Sequence, residues 1–160
     1  MTVNIIALAA LCECRLPRYG QSMTTDRIYT AALAVIGDEI LSGRTQDKNI
    51  AQVALWLNLQ GIRLAEVRVV PDVEDAIIEA VNQLRARNDY LFTTGGIGPT
   101  HDDITVDAVA KALGVPVVHH PKAVEVLQNY YETRGGATEA RLRMARVPDG
   151  ATLKIGRAHV

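Results

Sequence analysis

DYLFTTGGIGPTHDDITVDAVAKALG, residues 89–114, decides the fold. Its first six residues read as a strand that stops at three glycines within four positions. After the loop, Val106, Val109, Ala110 and Leu113 recur at helical spacing until Gly114. A short apolar run, a glycine turn and an amphipathic helix make one βα unit. On its own the turn has two readings: a tight connection, or a cradle whose amides accept an anion at the positive end of a helix.

Working outward, the same alternation repeats. AALAVIG (31–37) is continuously apolar, as a strand covered on both faces should be, and DEILSGRTQD follows as loop. Ile50, Val53, Ala54 and Leu57 form one helix face, with Gly61 placed to end it. IRLAEVRVV (62–70) reads as an alternating strand. Asp72 is placed to cap a helix carrying Val73, Ile77, Ala80, Val81 and Leu84, with basic residues in its last turn. VPVVHH (115–120) reads as a fourth strand. Two helical stretches broken at Gly135 and Gly136 follow, then PDGATLKI as a turn and a last short strand. The expected fold class is α/β, a three-layer sandwich around a mostly parallel sheet.

At 160 residues the chain fits one domain, and 48% hydrophobic against 22% charged residues suffice for a core. Seventeen basic and eighteen acidic side chains leave a net charge of -1, so no global positive field favours nucleic acid. Cys12 and Cys14 alone build neither a disulfide framework nor a closed zinc site. The run VNIIALAALC is too short to span a bilayer and lacks the flanks of an export signal, so no membrane partner and a cytoplasmic location are expected. Residues 1–26 read as a peripheral N-terminal extension, of which 1–22 precede Met23 and are expected to come from an upstream start codon. Residues 27–155 form the domain and 156–160 a tail.

Parallel strands bring their carboxyl ends to one edge, so the loops after the first and third strands emerge together. With strand order 2-1-3 they flank the switch point where open α/β sheets bind ligands. Asp38 and Glu39 then face the loop Gly95–Asp103. Gly95, Gly96 and Gly98 leave room for an anion, Thr93, Thr94 and Thr100 offer hydroxyls, and Pro99 stiffens the loop. Asp102 and Asp103 either cap the helix starting near Ile104 or hold a divalent cation beside a phosphate. The loop is neither a P-loop nor a dinucleotide fingerprint. His101, His119 and His120 lack partners at metal spacing, Trp56 lies off the main stripe of its helix, and no serine or cysteine sits in a nucleophile elbow.

GDEILSGRTQDKN together with TTGGIGPTHDDITVDAVAKALG closely resembles the molybdopterin-binding-like domain (MoaB/Mog fold) at the start of competence/damage-inducible protein A, the CinA family, over about Tyr29 to Ile155. The resemblance implies metal-dependent hydrolysis of a nucleotide pyrophosphate of ADP-ribose or FAD type, with Mg or a similar divalent cation. It implies that Asp38, Glu39, Asp102 and Asp103 organise metal and water, Asp102 and Asp103 as metal ligands. Asn49, Thr94, Gly95, Gly96, Gly98 and Thr100 would contact a phosphorylated small molecule, nucleotide or pterin. A non-catalytic module binding molybdopterin or a nucleotide is the alternative. Molybdopterin adenylyl transfer is disfavoured, because that branch places an Arg-Asp pair where this chain has Asp102-Asp103. A homo-oligomer is also implied. Family domains continue beyond VPDGATL where this chain ends at KIGRAHV, so part of the substrate wall is expected to be missing. No counterpart of the deamidase domain of many CinA proteins follows, so nicotinamide-mononucleotide deamidase activity is not expected.

Overall fold

A computed structural model describes residues 27–153; the N-terminal extension with its two cysteines and the C-terminal tail lie outside the described residues. Strand β1 (Tyr29–Ile36) runs through the middle of a three-stranded sheet of order β2-β1-β3, with β2 at Ile62–Val70 and β3 at Tyr90–Thr94. Both pairings are parallel, and the register sets Ile36 beside Val70 and Val35 beside Thr94. The expected order 2-1-3 is therefore the observed one.

Because side chains alternate across a strand, the apolar run of β1 serves two cores at once. Ala32, Ala34 and Ile36 pack with Ile77, Val81 and Leu84 of α3 (Glu74–Arg87) and with Ala108 and Val109 of α4 (Thr105–Leu113). Ala31, Leu33 and Val35 pack with Val53 and Leu57 of the helix Asn49–Leu59 and with Phe92. Helices cover both faces of the sheet, which makes the α/β three-layer sandwich. Trp56, off the buried stripe as expected, is half exposed and meets Phe92 edge-on at 6.2 Å.

Four expectations need correction. The segment after Gly37, read as loop, contains a one-turn helix α1 (Asp38–Leu41), so the helix at Asn49–Leu59 is α2. The first amide of α1, at Asp38, donates to Asp72 beyond the end of β2, while the amides of Ile40 and Leu41 donate to Gly37 O. Asp72 does not cap α3, whose N-cap is Val73 without a side-chain bond; its Oδ2 instead accepts the amide of Asp38 at 2.9 Å. With β2 paired beside β1, the amide across the sheet edge is the nearer donor. The fourth strand does not join the parallel sheet. It forms β4 (Val117–His119), antiparallel to β5 (Arg146–Pro148), in a separate two-stranded sheet. Finally, the last strand precedes the Asp149-Gly150 turn instead of following it, and residues 151–153 form no strand. Between β4 and β5 lie α5 (Pro121–Tyr131), α6 (Glu139–Leu142) and a 3-10 turn at Arg143–Ala145.

Truncating Ile77, wholly buried between α3 and the sheet, removes a packed side chain with nothing to refill its place. Urea denaturation of Ile77→Ala is expected to show a loss of about 2–5 kcal/mol, against under about 0.5 kcal/mol for Glu125→Ala on the exposed face of α5.

Candidate functional site

The carboxyl ends of β1 and β3 open onto one edge. Gly37 leads into α1 there, and the loop 95–104 connects β3 to α4. Two glycines fix the loop's path. Gly95 has φ 93°, and a methyl there would fall 1.9 Å from the carbonyl oxygen of Ile36; Gly96 has φ 60°, and its methyl would fall 2.2 Å from Thr105 Oγ1. These glycines let the loop pack against its own protein, so their first role is structural, contrary to the expectation that they clear space for a ligand. Buried Thr105 then latches the loop: its hydroxyl donates to Gly95 O at 2.9 Å and its amide to Gly96 O at 3.2 Å.

The latch leaves donors over. Among the described residues the amides of Gly96, Ile97 and Gly98 donate to no protein acceptor, and α4 begins at Ile104 without a side-chain cap. Neither Asp102 nor Asp103 caps that helix. Asp103 turns inward, its Oδ2 accepting the Thr100 amide at 2.9 Å and the Thr100 hydroxyl, close against Gly98. Asp102 stays exposed. Hydrogen bonding within the loop, with the charge of the neighbouring His101, holds its carboxyl below the usual carboxylate value. Thr94, only 2% exposed at the end of β3, has a hydroxyl with no hydrogen-bond partner among the described residues. Buried hydroxyls are ordinarily paired, so this is an open valence at the site.

The second loop contributes acids. Asp38 and Glu39 are exposed in the first turn of α1, and Asn49 opens α2 at the same edge. Asp72 sits between the two loops: it binds the Asp38 amide, and its Oδ1 lies 3.5 Å from where a Gly96 methyl would be. Burial pushes its carboxyl up; the Asp38 amide opposes this, while the charges of Glu39, Asp38 and Asp102 add to it. The structure thus gathers Asp38, Glu39, Asp72 and Asp102 within electrostatic reach and sets Asp103 apart. No three His, Cys, Asp or Glu side chains among the described residues stand together as a ready metal cage.

Sequence reasoning misses Asp72, Thr105 and two arginines. A β2–β1 pairing that ends at Ile36 and Val70 puts residue 72 beside residue 38, so the signal for Asp72 is in the strand order. Arg143 and Arg146 line the cleft beside Gly96, Gly98 and Asp103, and nothing in their spacing relates them to a loop 45 residues earlier.

Residues 32–154 match the family described as "Probable molybdopterin binding domain". The chain belongs to this family. The chain is similar to a protein from Aeropyrum pernix, 44% identical over 117 residues that cover 72% of this chain and 44% of the relative. A protein from Pyrobaculum calidifontis is 42% identical over 76% of this chain and 47% of its own. The chain spans about half the length of the curated relatives it matches. Among solved structures, the CinA protein of unknown function from Thermoplasma acidophilum is similar at TM-score 0.70 and 33% identity, over 76% of this chain and 72% of that one. A molybdenum cofactor biosynthesis protein from Corynebacterium diphtheriae, at TM-score 0.51 and 20% identity over 66% and 67%, shares the fold. The molybdopterin-binding, CinA-like reading of the sequence is borne out. None of the described helices is long and apolar enough to cross a membrane.

The Asp72 carboxyl, pushed up first by burial and then by the acids around it, carries a stability penalty with a definite pH sign. A carboxyl whose pKa is raised on folding favours the folded state below its unfolded pKa, and that contribution is lost as pH rises through the folded value. Asp72→Asn retains an acceptor for the Asp38 amide and removes the charge. It is expected to raise the urea midpoint relative to wild type at pH 7, with the difference vanishing at pH 3, where Asp72 is protonated in either state.

Proposed function

We propose that the domain binds a phosphorylated small molecule at the glycine loop and, with a divalent cation, hydrolyses a nucleotide pyrophosphate of ADP-ribose or FAD type. The observation that carries this reading is the set of unpartnered amides at Gly96, Ile97 and Gly98, beside an uncapped helix N-terminus and opposite a group of carboxylates. Free amides at a helix start attract phosphate oxygens, and carboxylates alone would repel them. The two features are reconciled when a cation lies between acids and anion.

The donor set fits such a cation. The site offers hard carboxylate oxygens, and Asp72, whose carboxyl is pushed up by burial and by nearby acids, gains from neutralisation. Mg-type ions are commonly held by one or two carboxylates, with ligand phosphates and water completing the shell, which agrees with the lack of a closed protein cage. When bound, the cation would neutralise phosphoanhydride charge and raise the acidity of water.

The chain's own residues have separate tasks in this proposal. The amides at Gly96, Ile97 and Gly98 hold phosphate oxygens as charge builds on them. Gly95 and Thr100 keep the loop in place, and the Thr94 hydroxyl and Asn49 contact the ligand. Asp102 and Asp72 would hold the cation, and Asp103, turned inward onto Thr100, shapes the loop. Asp38 and Glu39 orient the attacking water. Its oxygen bonds to one phosphorus, the bridging P–O bond breaks, and the products of ADP-ribose are AMP and ribose 5-phosphate.

With ADP-ribose as substrate, product formation is expected to require Mg or Mn and to fall by at least about 100-fold in Asp102→Asn, in line with loss of a charge-stabilising group. Asp103→Asn is expected to lose less, with a lowered melting temperature. Nucleotide binding without metal-dependent product in the wild type would instead support the alternative of a non-catalytic molybdopterin or nucleotide module, which the family description favours. Self-association is also part of the proposal. Leu55, Trp56 and Leu59 are exposed together on α2, an apolar patch that association would cover. Sedimentation is expected to show a species larger than a monomer, smaller in Trp56→Glu.

A further inference from the structure

The glycine loop has a second neighbour that the proposed chemistry does not use. Between the loop and the turn Arg143–Ala145 lies a shallow open cleft, lined by Gly96, Gly98, Asp103, Val106, Arg143 and Arg146 among others. It has room for one charged group and not for a whole nucleotide. Asp103 is the one acid among the cleft's lining residues, and its carboxylate is tied to Thr100; Asp38, Glu39, Asp72 and Asp102 do not line it.

The arginines of this segment differ in what they do. Arg146 is neutralised by Asp107 in the first turn of α4. Arg141 donates to the carbonyls of Arg134 and Gly136 and stacks on Tyr131, so its guanidinium holds the chain together. Arg143, partly buried in the cleft wall, makes no side-chain hydrogen bond and no ion pair among the described residues. A guanidinium carries five donors in a fork that matches two oxygens of a phosphate. Next to it, Val106 lies in the first turn of the uncapped α4, whose positive end adds to the attraction.

We infer that Arg143 is a phosphate-binding residue, taking one phosphate of a pyrophosphate diester while the acidic side of the loop takes the other through the cation. This inference rests on the function proposed above and sharpens it: it selects ligands with two linked phosphates over phosphate monoesters. A lone monoester can satisfy one side of the loop only. Lys would replace the charge but not the two-pronged geometry.

Calorimetric titration of ADP-ribose with Mg, and of AMP for comparison, tests it on wild type, Arg143→Ala, Arg143→Lys and the remote control Arg87→Ala. Arg143→Ala is expected to weaken ADP-ribose binding by about 10- to 100-fold and AMP binding much less, from the typical value of a charge-assisted hydrogen bond. Its salt dependence should be shallower, Arg143→Lys should recover part of the loss, and Arg87→Ala should lose nothing. The rise in melting temperature produced by Mg alone should be the same in all four proteins. Should Arg143→Ala not fold, Arg143→Gln carries the same decision. Wild-type affinity for ADP-ribose in the folded Ala or Gln variant, or an equal loss in Arg87→Ala, overturns the inference and leaves the proposed function standing. Failure of the wild type to bind either nucleotide overturns both.

Discussion

The burial of β1 on both faces is the constraint on which the rest of the structure depends. A strand whose six consecutive residues from Ala31 to Ile36 are all enclosed has to lie between two other strands and under helices on each side. That requirement places β2 and β3 as its neighbours, so the chain leaves β1, β2 and β3 at one edge. Gly37, Asp72 and Gly95 become neighbours there although they are far apart in sequence. The Asp38 amide bonded to Asp72, and the Thr105 latch on Gly95 and Gly96, are consequences of that convergence.

The latch and the site use the same atoms in complementary ways. Packing consumes the carbonyls of the glycine loop and the space beside its α-carbons, and leaves its amides free. A loop held through its carbonyls keeps those amides in fixed directions, which is what electrostatic preorganisation of an anion site requires. One acid beside it, Asp72, is held at a cost, its carboxyl pushed up by burial and by the charges around it. Strain of this kind, maintained by surrounding structure, is characteristic of binding and catalytic sites.

Much of this frame is legible in the sequence because it depends on periodicity and punctuation. The unbroken apolar run of β1, the alternation of β2 and the helical spacing of Ile77, Val81 and Leu84 each report burial on a known number of faces. Local patterns fail where partners are distant. Asp72 before a helix is a good cap by local rules, but the Asp38 amide across the edge competes for the same oxygen and wins. Asp103 in an acidic pair looks like a metal ligand, yet Thr100 three residues earlier ties it inward. VPVVHH reads as a fourth strand, and the sequence carries no sign that it pairs with β5 apart from the parallel sheet. Arg143 is one of several basic residues until the fold carries it to the cleft.

The central claim is that the amides of the glycine loop are an anion site supported by a divalent cation. Backbone amide NMR during titration with inorganic pyrophosphate and Mg tests it most directly, because it reads those amides without requiring turnover. The account predicts that the largest shifts fall on Gly96, Ile97 and Gly98 and on the first turn of α4, and that they diminish when Mg is withheld. Shifts confined to other surfaces, or none at saturating pyrophosphate, would contradict it.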